Sequence, residues 1–182
     1  MVMRSLISRR EQEITFHPVV LVMVPVVALL LQDYLPHLFP HFALLDLPLL
    51  VVIYFAITLR SPIAGTLTGA IIGMLQDGQS SHPIGVNGMA KSIIGYAAAS
   101  IGVRIDVDNS ISRMLLVAVF SVANSVLTYL IERRLLGFDM QWMWLHEFAR
   151  MIANAVVAAG FFWILDLLRR RDMGRRGMGH RR

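Results

Sequence analysis

The chain has 182 residues, of which 56% are hydrophobic and only 16% are charged. Soluble domains carry about 45–50% apolar and about 25% charged residues, and a soluble protein this small has too little polar side chain to cover such an apolar surface. The absence of cysteine excludes disulfides, thiolate-bound zinc, iron–sulfur clusters and cysteine nucleophiles. The composition predicts an all-α, polytopic membrane bundle that forms one membrane domain.

Six apolar segments follow one another along the chain after a polar lead over residues 1–17. No small-residue cleavage site follows the first segment, so it is predicted to be an uncleaved helix rather than a signal peptide. Some segments are short for a hydrocarbon core of about 30 Å, so a five-span alternative that merges or demotes the second and third stays open. The predicted spans are residues 18–34, 44–59, 62–76, 85–103, 110–131 and 146–168.

The arginines are distributed unevenly about these spans. With six spans and a cytoplasmic N-terminus, the first two outside loops contain no Lys or Arg, and the third contains only Arg133 and Arg134. Every inside segment has at least one arginine, so the positive-inside rule predicts that both termini are cytoplasmic. Seven arginines lie in the tail over residues 169–182. Because this tail directly follows an apolar helix, anionic lipid headgroups are its expected partner, and nucleic acid is not.

Small residues recur at helical spacing in the third and fourth segments. Gly65, Gly69 and Gly73 are four residues apart and therefore share one face of a helix, and Gly95 and Ala99 repeat the spacing on the next segment. Such faces let two helix backbones approach closely in a membrane. Two interpretations stay open: the glycine face packs within the bundle, or it docks a helix of another membrane protein.

Polar side chains within the spans form the second candidate set, because burying them in a membrane is costly. Lys91 lies in the fourth segment, Asn124 and Asn154 lie near the middle of the fifth and sixth, and Asp77 ends the third. Lys91 is expected to pair with Asp77, to hydrogen-bond an asparagine, or to extend to the membrane interface. A structural contact, a substrate or proton pathway and a partner contact are the three interpretations of this set.

No arrangement of residues indicates catalysis, a metal or a cofactor. His37 and His41 have the spacing of metal ligands, but the adjacent prolines disfavour the helix that would align them. The segment Gly85–Gly88 lacks the Lys and Ser/Thr of a phosphate-binding loop, and no Gly-x-Ser-x-Gly elbow is present. His146 and Glu147 lack the second histidine of a zinc-protease helix. The sequence therefore predicts a protein that is not an enzyme and takes no cofactor.

Five short pieces follow one another in the middle of the chain: Asp46–Tyr54, Arg60–Gly65, Gly69–Asp77, Pro83–Gly88 and Lys91–Tyr96. In their order and spacing they resemble the MreD family. A glycine-rich helix ends at Leu-x-Asp, a Pro-Leu-Gly-x-Asn-like turn follows, and the next helix contains Gly-Tyr. Ile84 replaces the leucine common in that turn, and Lys91 is not a feature that the family requires.

This resemblance implies a non-catalytic scaffold subunit of the bacterial cell-elongation machinery in the inner membrane. The implied partners are MreC, the MreB filament (directly or indirectly), and RodA with the elongation transpeptidase that builds lateral peptidoglycan. The implied fold is similar to the substrate-binding subunit of energy-coupling-factor transporters, and such a transporter subunit is the alternative function. That alternative expects an Ala-x-x-x-Ala face on the first helix, and the segment Val19–Ala28 has none.

The glycine face and the following turn together suggest a partner-binding mechanism. In this hypothesis Asp77 accepts backbone N–H groups from the start of the fourth helix, Gly85 permits a close approach, and Asn87 bonds across the turn. A partner helix would then pack against the glycines. The candidate helix-packing or partner-interface residues are Gly65, Gly69, Gly73, Asp77, Gly85, Asn87, Gly95 and Tyr96.

Overall fold

The computed structural model describes residues 18–80, 83–103, 109–138 and 143–179, without the side chains of residues 110 and 168–179. The predicted polar lead over residues 1–17 and the side chains of the Arg-rich tail lie outside this description. Within it the chain is all-helical and contains no strand. The helices are α1 (Pro18–Leu38), α2 (Leu47–Leu59), α3 (Pro62–Gln79), α4 (Val86–Gly102), α5 (Ser110–Leu130) and α6 (Trp144–Gly179). A 3₁₀ helix, Pro40–Leu44, precedes α2, and a π-helical turn, Ile131–Leu135, follows α5.

Helix boundaries follow the local capping chemistry. The side chain of Asp46 accepts a hydrogen bond from the Leu49 N–H and caps α2, and Ser61 caps α3 with Pro62 as its first residue. Arg60, between the two helices, adopts the left-handed conformation that ends α2. Three helices are longer than the predicted spans: α1 continues through Pro36 to Leu38, α3 continues to Gln79, and α6 continues to Gly179.

The shortest α-helix, α2, is the centre of the bundle. Every residue from Leu47 to Thr58 is buried, and α2 contacts all five other α-helices. A helix that is apolar on all sides is expected to be buried on all sides. Its 13 residues span only about 20 Å at 1.5 Å per residue, which is less than a hydrocarbon core of about 30 Å. The surrounding helices therefore shield α2 from lipid, so α2 does not need to match the thickness of the bilayer.

The outer faces of the surrounding helices carry large apolar side chains. Ile63, Leu115 and Trp163 are 75%, 65% and 67% exposed, a surface suited to lipid. Three helical stretches are long and apolar enough to cross a membrane: Pro18–Leu38, Ile111–Leu135 and Trp144–Leu167. The fold is therefore a helical membrane bundle, as the composition predicted. That all six helices cross the bilayer, rather than five, stays a prediction.

Because consecutive helices run antiparallel, the loops divide between two ends of the bundle. One end carries the 3₁₀ helix, the end of α3, the start of α4, the π-helical turn and the start of α6, and we call it the Asp46 end. At the opposite end, Tyr54 of α2 donates a hydrogen bond to Asp166 of α6 (2.9 Å), and Arg113 of α5 forms an ion pair with the same carboxylate. The predicted topology places the Asp46 end outside the cytoplasm.

Candidate functional site

The glycine face of α3 packs against α4 within the chain. A Cβ built on Gly65 would lie 2.9 Å from the carbonyl carbon of Gly95, and one on Gly69 would lie 2.5 Å from that of Lys91. A Cβ on Gly73 would lie 2.6 Å from the carbonyl carbon of Asn87. Ordinary carbon contacts are about 3.5–4.0 Å, so only glycine permits this approach of the two backbones. We call this contact the glycine seam.

The glycine seam decides between the two interpretations of the small-residue pattern. Gly65, Gly69 and Gly73 are buried, and α4 occupies the face that they form. This geometry does not favour the hypothesis that a partner's helix packs against these three glycines, because the α4 backbone lies within 3 Å of the Cβ position of each. Packing within the bundle is the interpretation that the geometry supports.

Asp77 organises the turn that joins α3 to α4, as the sequence led us to expect. Its buried carboxylate accepts hydrogen bonds from the backbone N–H groups of Gly85 (2.8 Å), Asn87 (3.1 Å) and Gly88 (3.1 Å), and from the Asn87 amide (2.8 Å). A negative charge here also suits the positive end of the α4 dipole. Gly85 has φ +105° and no atom within 4 Å of a built Cβ, so its role is conformational and not the close approach that we expected.

Lys91 is fully buried and pairs with Asp46, not with Asp77. Its Nζ lies 2.8 Å from Asp46 Oδ2 and 3.1 Å from Asn87 Oδ1. Of the three expectations for Lys91, the pairing with Asp77 and the extension to the interface are wrong, because Asp77 is engaged by the turn and the ammonium group is 0% exposed. The expected hydrogen bond across to an asparagine of another helix is not the one observed, because Lys91 bonds Asn87 of its own helix, α4. A buried ion pair of this kind requires that both partners remain charged and in contact.

Two further helices, α6 and α1, hold the backbone around Asp46. Asn154 of α6 accepts a hydrogen bond from the Asp46 N–H (3.0 Å) and donates one to Ser121 of α5 (2.8 Å). Gln32 of α1 donates to the Leu45 carbonyl and accepts from the Leu47 N–H, both at 2.9 Å. Residues Leu45–Leu47, which we call the Asp46 loop, are therefore fixed by side chains from α1, α4 and α6.

A cavity of about 460 Å³ opens beside the Asp46 loop. Side chains from α1, α3, α4, α5 and α6 line it, and most of them are polar. Asn124, which the sequence singled out, is one of them and is only 4% exposed. The two asparagines that the sequence singled out therefore differ: Asn154 hydrogen-bonds the Asp46 loop, whereas Asn124 lines the cavity.

Tyr96 lies apart from the other candidate residues. It is 58% exposed on the outer face of α4, one residue from Gly95, whose Cβ position is filled by the Gly65 backbone. The candidate set is therefore divided into the buried glycine seam, the Asp77 turn and one outward-facing tyrosine. Within the described residues, no group of three His, Cys, Asp or Glu side chains is arranged to hold a metal ion.

The sequence analysis did not identify the contacts of Asp46, Gln32 and Gln76, and it considered the cavity-lining Glu147 only as part of a rejected zinc-protease motif. A signal for Asp46 was present, because an Asp directly before Leu-Pro is typical of a helix N-cap. For the two glutamines no pattern in the sequence indicates the contact. Their partners lie 13 to 30 positions away, and only the fold brings them together.

Comparison with known proteins identifies the chain's family. The family model described as rod shape-determining protein MreD matches residues 12–171, which is nearly the whole chain. The chain belongs to the MreD family. This match includes all six helices and the Asp46 loop, so the MreD resemblance of the central fifty residues extends over the bundle. No curated protein and no solved structure matches significantly.

Proposed function

We propose that this MreD-family chain is a non-catalytic scaffold subunit of the cell-elongation complex in the bacterial inner membrane. It would control cell shape and lateral peptidoglycan synthesis through MreC and the pair of RodA and its transpeptidase, with the MreB filament as a direct or indirect partner. The family match over residues 12–171 carries this proposal. The large apolar outer surface supports it, because membrane-embedded partners need such surfaces for contact.

The outer face of α4 is the partner surface that we favour now that the glycine seam is internal. Met89, Ile93 and Tyr96 are 46%, 51% and 58% exposed and recur at helical spacing. Tyr96 is ten residues into α4, which is about 15 Å along the axis. Tyrosine prefers the membrane interface, so a hydroxyl at this depth suits contact with a protein better than contact with lipid tails.

Affinity purification of the tagged chain from native membranes in mild detergent tests the proposed function. Mass spectrometry of the co-eluting proteins should recover MreC, RodA or the elongation transpeptidase. Recovery of a transport ATPase pair with a coupling membrane subunit, without these proteins, would overturn the scaffold function.

A matched pair of variants tests the α4 surface. We expect Tyr96→Leu to lower the recovery of MreC several-fold, whereas Tyr34→Leu, at a 63% exposed tyrosine of α1, should leave it unchanged. Both variants should insert and purify normally, because neither tyrosine is buried. Equal recovery of MreC with the two variants would show that Tyr96 is not at the contact.

The transporter subunit remains the second candidate because the polar cavity is a feature that a binding subunit needs. The exposed face of α1 argues against it. Val19, Met23 and Leu30 are 55%, 55% and 58% exposed, so large side chains cover the face where small ones would be expected for docking. The same purification separates the two candidates.

A further inference from the structure

The cavity at the Asp46 end contains polar atoms that have no partner within the described chain. Five buried side-chain atoms make no hydrogen bond, and all five belong to residues that line this cavity. Asn124 is the most deeply placed, with 4% of its surface exposed and its Oδ1 unpartnered. The five atoms are Gln76 Oε1, Asn124 Oδ1, Thr128 Oγ1, Glu147 Oε2 and Arg150 Nε.

These five unpartnered atoms differ from the neighbouring polar groups around the cavity, which are hydrogen-bonded. Asp46, Asn87 and Asn154 each have defined hydrogen-bond partners on other helices. A buried polar group without a partner costs about 1–3 kcal/mol, so native folds rarely leave several of them side by side without a ligand or solvent role. The paired groups build the wall, and the five unpaired atoms belong to residues that line the same cavity.

We propose that this cavity binds a small organic ammonium compound that carries further hydrogen-bond donors. A volume of about 460 Å³ lies within the range of roughly 300–1,000 Å³ that is usual for small-molecule sites. The site would exist whether or not the scaffold function holds, and it adds ligand binding to a family described only by its role in rod shape.

The chemistry of the lining selects the ligand class. Three of the unpartnered atoms are acceptors, from Gln76, Asn124 and Glu147, and the Thr128 hydroxyl accepts or donates. Only Arg150 Nε is solely a donor. A complementary ligand therefore offers several N–H or O–H groups and one acceptor.

Charge adds the preference for a cation. The described lining includes the carboxylates of Asp33, Asp46 and Glu147, and its permanently cationic side chain is Arg150. Lys91 lies behind the wall and neutralises Asp46. Glu147 is only loosely associated with Arg150, at 3.9 Å, and its second oxygen has no hydrogen-bond partner among the described residues, so an ammonium group of a ligand would supply the missing donor.

Three sugars that share one ring test the proposal: glucosamine, glucose and glucuronate. The purified full chain is unfolded thermally in mild detergent with each sugar. At about ten times its Kd, glucosamine should raise the Tm by roughly 3–5 °C. Glucose, which lacks the ammonium group, should act only at higher concentration, and glucuronate should have no effect. Equal shifts with the three sugars, or no shift with glucosamine, would overturn the proposal.

Two variants locate the effect. Glu147→Gln removes the charge but keeps the shape, so it should abolish the preference for glucosamine over glucose while the unliganded Tm stays the same. Asn124→Leu should abolish the glucosamine shift without lowering the unliganded Tm, because the lost oxygen had no partner in the fold. A glucosamine shift that survives in both variants would place the binding elsewhere and refute the site. These readouts do not depend on MreC recovery, so the site and the scaffold function fail separately.

Discussion

The glycine seam makes a sharp prediction about stability, because one methyl group at Gly69 has no room. Its Cβ would lie 2.5 Å from the Lys91 carbonyl carbon and 2.9 Å from the Ser92 nitrogen. Restoring an ordinary contact of about 3.5 Å requires the two backbones to separate by about 1 Å. Neither obstacle is a flexible side chain, so no rotamer change relieves the overlap. Separation would also pull Lys91 from Asp46, whose ion pair is 2.8 Å long.

Gly69→Ala is therefore expected to lower the free energy of unfolding relative to a matched control. Gly160→Ala is that control, because Gly160 lies inside α6 and has no atom within 4 Å of a built Cβ. Both substitutions gain about 1 kcal/mol of helix propensity. The difference between the variants isolates the overpacking cost, which is typically about 1–3 kcal/mol.

Thermal unfolding of the two purified variants in the same detergent measures this difference. For a chain of this size, 1 kcal/mol corresponds to a Tm change of about 2–4 °C, so Gly69→Ala should unfold roughly 2–12 °C below Gly160→Ala. A second control, Gly78→Ala near the end of α3, should behave like Gly160→Ala because it too has open space. If Gly69→Ala is as stable as both controls, α3 and α4 do not pack through the glycine seam.

The remaining predictions concern the buried polar groups and use the same unfolding measurement. Lys91→Met should cost about 3–5 kcal/mol by leaving the Asp46 carboxylate buried without its cation, and the added change Asp46→Leu should recover part of this loss; additive costs would contradict the ion pair. Asp77→Asn should cost about 3 kcal/mol or more, because an amide group replaces an oxygen that accepts two backbone N–H bonds; an unchanged Tm would refute its role in the turn. Asn154→Leu should cost about 1–3 kcal/mol because the Asp46 N–H loses its acceptor, in contrast to Asn124→Leu; equal effects of the two substitutions would show that the asparagines do not differ.

Much of the fold could be predicted from local sequence, because runs of apolar residues mark membrane helices and capping residues mark where they begin. The predicted spans identified all six helices, and Ser61-Pro62 marked the start of α3. The ends were less accurate. Pro36 was expected to end α1, but a proline disrupts only the turn before it, and α1 continues for two more residues to Leu38.

The partners of buried polar side chains could not be predicted in the same way. Asp77 and Asn87 are ten residues apart across one turn, so their contact was accessible to reasoning about local geometry. Lys91 and Asp46 are 45 residues apart on helices that are not consecutive, and no periodicity links them. Asp77, being nearer in sequence, was the natural expectation for Lys91, but the N–H groups at the start of α4 already occupied its carboxylate.

The central position of α2 explains why these polar contacts gather at one end. Because α2 is short, its first backbone groups lie inside the bundle and need hydrogen-bond partners there. The Asp46 loop contains these groups. Gln32 and Asn154 hydrogen-bond the backbone of this loop, and Lys91 binds the Asp46 carboxylate. The atoms left over, on α3, α5 and α6, belong to residues that line the cavity. The polar groups at this end of the bundle therefore divide into those that bind the start of the short central helix and those that line the space beside it.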